Sequence, residues 1–190
     1  MDRSCRNCAG ASGVGPGSES AADALLVIGY GNTLRRDDGV GVYLAEALTA
    51  RGWPGVEVIA CHQLTPELAE PISRAAAVVF ADAGFARRQV RMERVRPLTG
   101  GTVLAHECSP GVLLGLAQAL FGRQPPGWVL TLPAEDFGLG EGLSPLARTG
   151  LQTGLRRLEA WVGRWRKGRR RGGASDRAPG SVASEGTAGD

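Results

Sequence analysis

The chain has 190 residues, with 22 Lys+Arg against 19 Asp+Glu and 43% hydrophobic residues, a length that suits one domain rather than two independent cores. No apolar run approaches the roughly 18 residues needed to cross a bilayer, the N-terminus lacks the hydrophobic stretch of a secretory signal, and four Cys in a chain of this size do not make a disulfide scaffold. What remains is an expected soluble, cytoplasmic, single-domain protein that nothing requires to be more than a monomer.

The ends differ from the middle. Residues 1–22 hold only Met1 and Val14 as sizeable apolar side chains, and 167–190 hold only Val182 among six Gly, four Ala and three Ser. Neither end can bury enough apolar surface to offset the entropy of ordering it, so both are expected to be disordered. The domain is then 23–166, whose 15 Arg and 14 acidic residues leave a net charge of +1. The basic balance belongs to the tails, and Arg outnumbering Lys 21 to 1 reads as genome composition rather than as a binding signal.

Along the chain, Ala24 to Gly29 (ALLVIG) predicts a buried strand. After the loop Tyr30 to Asp37, a helix is expected from about Asp38 to Arg51, with Gly41, Leu44, Ala45 and Leu48 on one face. Gly55 to Cys61 predicts the second strand, and Thr65-Pro66 an N-cap with Pro at the first helical position, opening a helix to about Arg74. Ala75 to Ala81 predicts a third buried strand running straight into Asp82. Gln89 to Arg96, alternating Val90, Met92 and Val95 with polar residues, suits an exposed or edge strand. Ser109-Pro110 opens a helix with Leu113, Leu116, Ala117 and Leu120 on one face. Trp128 to Leu132 is a further strand, and Ser144-Pro145 opens the last helix, with Leu151, Leu155, Leu158, Val162 and Trp165 on its apolar stripe. Strands alternating with helices predict an α/β three-layer sandwich, a largely parallel twisted sheet flanked by helices.

Ligands of an open parallel sheet gather beyond the carboxyl ends of its strands. The first strand delivers Gly29-Tyr30-Gly31-Asn32 and then Asp37-Asp38 to that edge, the third delivers Asp82, and His106 precedes the Ser109-Pro110 helix in a connection returning to the same edge. Singly, Asp37 or Asp38 would do no more than complement a helix dipole, and Asp82 no more than cap a loop. Together, two carboxylates and an imidazole from three segments make a three-ligand site suited to nickel or zinc.

Other schemes fail on particular residues. The Gly29-x-Gly31 turn is not a dinucleotide fingerprint: Leu34 stands where a third glycine is needed, and the second strand ends in Ala60-Cys61-His62 without an acid for a ribose. The glycines suit a tight turn beside a bound chain or ion, which makes Gly31, Asn32 and Asp37 the expected substrate contacts. No G-x-S-x-G elbow is present. Cys61 and Cys108 each lie near a histidine, but buried Cys acting as a small hydrophobe accounts for both. Cys5-x-x-Cys8 lacks the two further ligands of a zinc site. The cluster Arg164 to Arg171, six positive residues in eight, has little aromatic interleaving beyond Trp165 and reads as a solvated helix terminus, so no nucleic-acid partner is expected.

The stretch Leu26-Val-Ile-Gly-Tyr-Gly-Asn-Thr-Leu-Arg-Arg-Asp-Asp-Gly-Val-Gly41 resembles the opening signature of the nickel–iron hydrogenase maturation endopeptidases. The resemblance continues through His62-Gln-Leu-Thr-Pro-Glu-Leu68, Val79-Phe-Ala-Asp-Ala83, His106-Glu-Cys-Ser-Pro110 and Asp136-Phe-Gly-Leu-Gly-Glu-Gly-Leu-Ser-Pro145, in order over about 26–162. It implies an endopeptidase that removes a C-terminal extension from the hydrogenase large-subunit precursor once nickel is in place. It also implies metal-binding residues at Asp38, Asp82 and His106, the trio collected from the strand ends, with Asp38 at a position where the family also accepts Glu. The nickel would be the ion the precursor carries. Cleavage by metal-activated water and by an Asp38–Asp82 acid–base pair both remain open. A metal-dependent hydrolase acting on another substrate and a non-catalytic nickel or precursor chaperone are the competing functions.

Overall fold

Four of the five strands run parallel, and the reason lies in their composition. The computed structural model describes residues 24–98 and 108–170; His106, the Cys5-x-x-Cys8 pair and the tail beyond Arg170 lie outside the described residues. Strand β1 (Leu25–Tyr30) is apolar at successive positions, as a strand covered on both faces must be. It is followed by a 3-10 turn (Arg36–Gly39) and helix α1 (Val40–Arg51), then β2 (Val56–Cys61) and a 3-10 turn (Pro66–Leu68) leading into the short helix α2 (Ala69–Arg74). Strands β3 (Ala77–Phe85) and β4 (Arg91–Arg94), helix α3 (Pro110–Phe121), strand β5 (Gly127–Ala134) and helix α4 (Pro145–Arg170) complete the described chain.

The sheet order is β2-β1-β3-β5-β4, with only the edge strand β4 antiparallel. Alternate residues of the central strands point to opposite faces. Leu25, Val27, Val79, Leu130 and Leu132 pack with α1 and α4, whereas Leu26, Ile28, Val78 and Phe80 pack with α2 and α3. This is the expected three-layer sandwich. The first layer is sealed by Trp128 against Trp161, ring centroids 4.8 Å apart and edge to face. Among the described residues no helix is long and apolar enough to cross a membrane.

Several local expectations need correction. The helix expected from Asp38 begins at Val40, because Asp37 and Asp38 are taken up in the 3-10 turn. Thr65 makes no side-chain cap to the turn it precedes, whereas the Ser109 and Ser144 hydroxyls do accept from the N–H groups of Val112 and Ala147, at 3.4 and 3.1 Å. In α3 the buried face includes Val112 and Leu114, and Leu120 is 65% exposed. Helix α4 continues to Arg170, beyond residue 166; arginine is a good helix former, and its charges favour a helix C-terminus. Strand β3 does not stop before Asp82 but carries it to Phe85, in register with β5.

Candidate active site

Chain order puts a switch point between β1 and β3. From β1 the chain crosses by α1 to β2 on one side, and from β2 it returns by α2 to β3 on the other. The two connections leave on opposite faces of the sheet, opening a crevice at the carboxyl ends of β1 and β3. Tyr30 and Asp82 stand there.

Close backbone approach brings the 36–39 turn to this crevice. Gly41 lies so near β3 that a Cβ on it would fall 2.3 Å from the Ala81 carbonyl oxygen. Gly31, at φ +136°, would put a Cβ 1.9 Å from the carbonyl oxygen of Asp38, so only glycine serves at this turn. The protein's own backbone, at Asp38, is thus sufficient reason for glycine at this position. The Asn32 N–H donates to Asp38 Oδ2 at 2.9 Å, and Asn32 Oδ1 accepts from the Leu34 N–H at 2.9 Å. In this structure Asn32 fixes the turn and aims Asp38.

Asp82 is set from two directions. The Tyr30 hydroxyl donates to its Oδ2 at 2.8 Å, and the Ala83 N–H donates to its Oδ1 at 2.8 Å. Burial pushes its carboxyl above the usual range, the two donors oppose that, and the negative charge of Asp38 adds to the rise. Burial, followed by the charge and hydrogen bond of Asp82, pushes the Tyr30 phenol strongly upward, so it stays protonated as a donor. The sequence placed Tyr30 at this edge without giving it a role; its signal is an aromatic hydroxyl closing an otherwise apolar strand.

Asp37 corrects the sequence reading most clearly. It was expected among the substrate contacts, but it has no exposed surface, and its carboxylate is filled by the loop after β5. Glu135, Asp136 and Ser144 donate backbone N–H groups at 2.9, 3.0 and 2.7 Å, and the Ser144 hydroxyl donates at 2.8 Å. Burial alone would raise its pKa, but the four donors outweigh it, so the carboxyl sits below its ordinary value. Asp37 is a clamp. Among the described residues no group of three or more His, Cys, Asp or Glu side chains is placed to hold a metal; the third expected ligand, His106, falls outside them.

No family model matches the sequence, and no curated protein matches it. Solved structures do. The hydrogenase maturating endopeptidase HybD from E. coli aligns at a TM-score of 0.57 with 23% identity, over 74% of this chain and 93% of that one. HybD from Thermococcus kodakarensis, a NiFe hydrogenase maturation protease, aligns at 0.56 with 22% identity, over 73% and 98%. An endopeptidase from Escherichia coli aligns at 0.54 with 25% identity, over 74% and 93%. This chain has the fold of the hydrogenase maturation endopeptidases.

Proposed function

We propose that the protein is an endopeptidase that removes the C-terminal extension of a nickel-loaded hydrogenase large-subunit precursor. The observation that carries this reading is the pair Asp38 and Asp82, held at the switch point of a sheet whose fold is that of hydrogenase maturation proteases. The precursor's nickel would be contacted by Asp38, Asp82 and His106. Recognition through the ion makes nickel a checkpoint, since an unloaded precursor lacks the group that completes the contact.

For the bond cleavage, the charge of Asp38, which adds to the rise in the Asp82 carboxyl, favours a carboxylate pair. Two like charges at close range share a proton, which leaves one group to accept the proton of the attacking water and the other to protonate the departing amide nitrogen. Three groups fix the pair before substrate arrives: the Asn32 N–H orients Asp38, while the Tyr30 hydroxyl and the Ala83 N–H of β3 orient Asp82. The compartment proposed is the cytoplasm and the working unit a monomer.

The test is a mass spectrum of the precursor after incubation with this protein, with and without nickel loading. Loss of a short C-terminal peptide from the loaded form alone is the expected result. An uncut precursor that co-purifies with the protein would replace the endopeptidase with a chaperone, and a precursor neither cut nor bound would leave only the fold and the carboxylate pair.

A further inference from the structure

The two edges of β3 end at different places. Its pairing with β1 stops at Gly29↔Ala81, whereas its pairing with β5 continues to Phe85↔Ala134. In a parallel ladder successive residues turn their N–H and C=O groups to opposite sides. Val78 donates towards β5, to the Pro126 carbonyl, so Ala83 and Phe85 turn theirs towards the side that β1 has left. The Ala83 N–H is taken by the Asp82 carboxylate. The Ala83 C=O and the Phe85 N–H have no strand beside them among the described residues. An unpaired edge of this kind is a template for an incoming strand.

The two ends of the open edge have different chemistry. At one end stands Asp82. At the other, Phe85 is 72% exposed, its ring edge-on to Phe137 at 5.5 Å. The chain then turns at Ala86, φ +56°, and presents Arg87 and Arg88, both exposed and without a carboxylate partner among the described residues.

We propose that the edge of β3 from Asp82 to Phe85 receives an extended segment of the polypeptide to be cut, as an added strand, with acidic side chains of that segment taken by Arg87 and Arg88. This deepens the endopeptidase reading and rests on it. Charge selects the occupant, since two unpaired guanidinium groups beside an aromatic pair fit a strand that is apolar and then acidic. Backbone pairing would carry the strand past Asp82 in a fixed register, presenting a peptide bond to the carboxylates whatever its side chains. At about 3.3 Å per residue, four residues of edge span about 13 Å, so a segment shorter than that cannot reach both Asp82 and the arginines.

The test uses the full chain and short synthetic peptides tiling the C-terminal region of the large-subunit precursor, with binding followed by fluorescence anisotropy. Methylating the backbone nitrogen of the bound peptide that donates to the Ala83 C=O should weaken binding about fivefold, and methylating the nitrogens on either side of it should leave binding unchanged. Replacing Arg87→Glu and Arg88→Glu together should weaken an acidic peptide about tenfold at low salt and remove its salt dependence. Equal effects of methylation at all positions, or binding indifferent to the arginine substitutions, would overturn the proposal. So would a concentration-dependent dimer in which the Phe85 amide is protected, because the edge would then belong to a second copy. The two readings fail separately: alternating methylation effects without cleavage of the precursor would retain the edge and remove the peptidase, and cleavage indifferent to both changes would do the reverse.

Discussion

Asp37 and Asp38 are neighbours in the chain, yet they serve two different regions of the molecule. Asp37 turns into the loop after β5 and receives four donors, all its capacity spent on the protein itself. Asp38 accepts from the Asn32 N–H beside the end of β1, and its charge reaches Asp82, which receives only two donors and is pushed towards its protonated form by burial and by Asp38. One region is a carboxylate whose charge stabilises the fold; the other holds a charge that the fold disfavours. A group kept at a cost and left open at a crevice is the more informative marker of function.

The largest effects should separate the two regions by stability. Asp37→Ala leaves three backbone N–H groups and a hydroxyl without their acceptor, at an expected cost of about 3–5 kcal/mol in a urea unfolding curve. Asp82→Asn should behave oppositely. Because the folded pKa of Asp82 is raised, its contribution to stability is present in acid and lost as pH rises through the folded value. Above the folded value the ionised group is a burden, so there the amide should melt no lower than the parent chain. The proposed processing should still fall about a hundredfold or more. An Asp82→Asn protein that is as damaged as Asp37→Ala would collapse the distinction and make both aspartates structural.

Acid should sharpen the contrast. The folded pKa of Asp37 lies below its unfolded value, so its stabilisation is present above the unfolded value, about 4, and is lost as pH falls through the folded one. The gap in melting temperature between the parent chain and Asp37→Asn should therefore close below about pH 4. A gap that persists unchanged in acid would mean that shape, not charge, holds the loop. A smaller effect is expected of Ser144→Ala, which removes the hydroxyl given to Asp37 and the cap on the Ala147 N–H; about 1 kcal/mol is the usual size for such a cap.

What was legible in the sequence follows the range of the interactions. The succession of strands and helices along the chain could be read because apolar runs and alternation are local signals. The two serine caps were legible for the same reason. The role of Asp37 was not, because its partners at Glu135, Asp136 and Ser144 lie about a hundred residues away. The extension of β3 to Phe85 was hidden by Asp82 and Gly84, poor strand formers that pairing with β5 overrides. Leu120 looked like core by spacing, but α3 meets the sheet through Leu113, Leu114 and Ala117, a face set by packing rather than by the leucine pattern.

Tyr30→Phe is the smallest change and the finest test of the comparison. The ring stays against the cluster of Leu26, Ile28 and Phe80, and only the phenol oxygen is lost. Stability should shift by no more than about 1 kcal/mol, since a lost hydrogen bond is offset by the burial of one polar group fewer. Asp82 then keeps the Ala83 N–H alone, and its second oxygen is free to turn about χ2. If the crevice needs a carboxylate held in one orientation, the proposed processing should slow about fivefold to tenfold, while the urea midpoint barely moves. A rate equal to that of the parent chain would reverse the dependence: Asp82 would be there to satisfy a buried Tyr30 hydroxyl, and Asp38 would face the precursor without a partner.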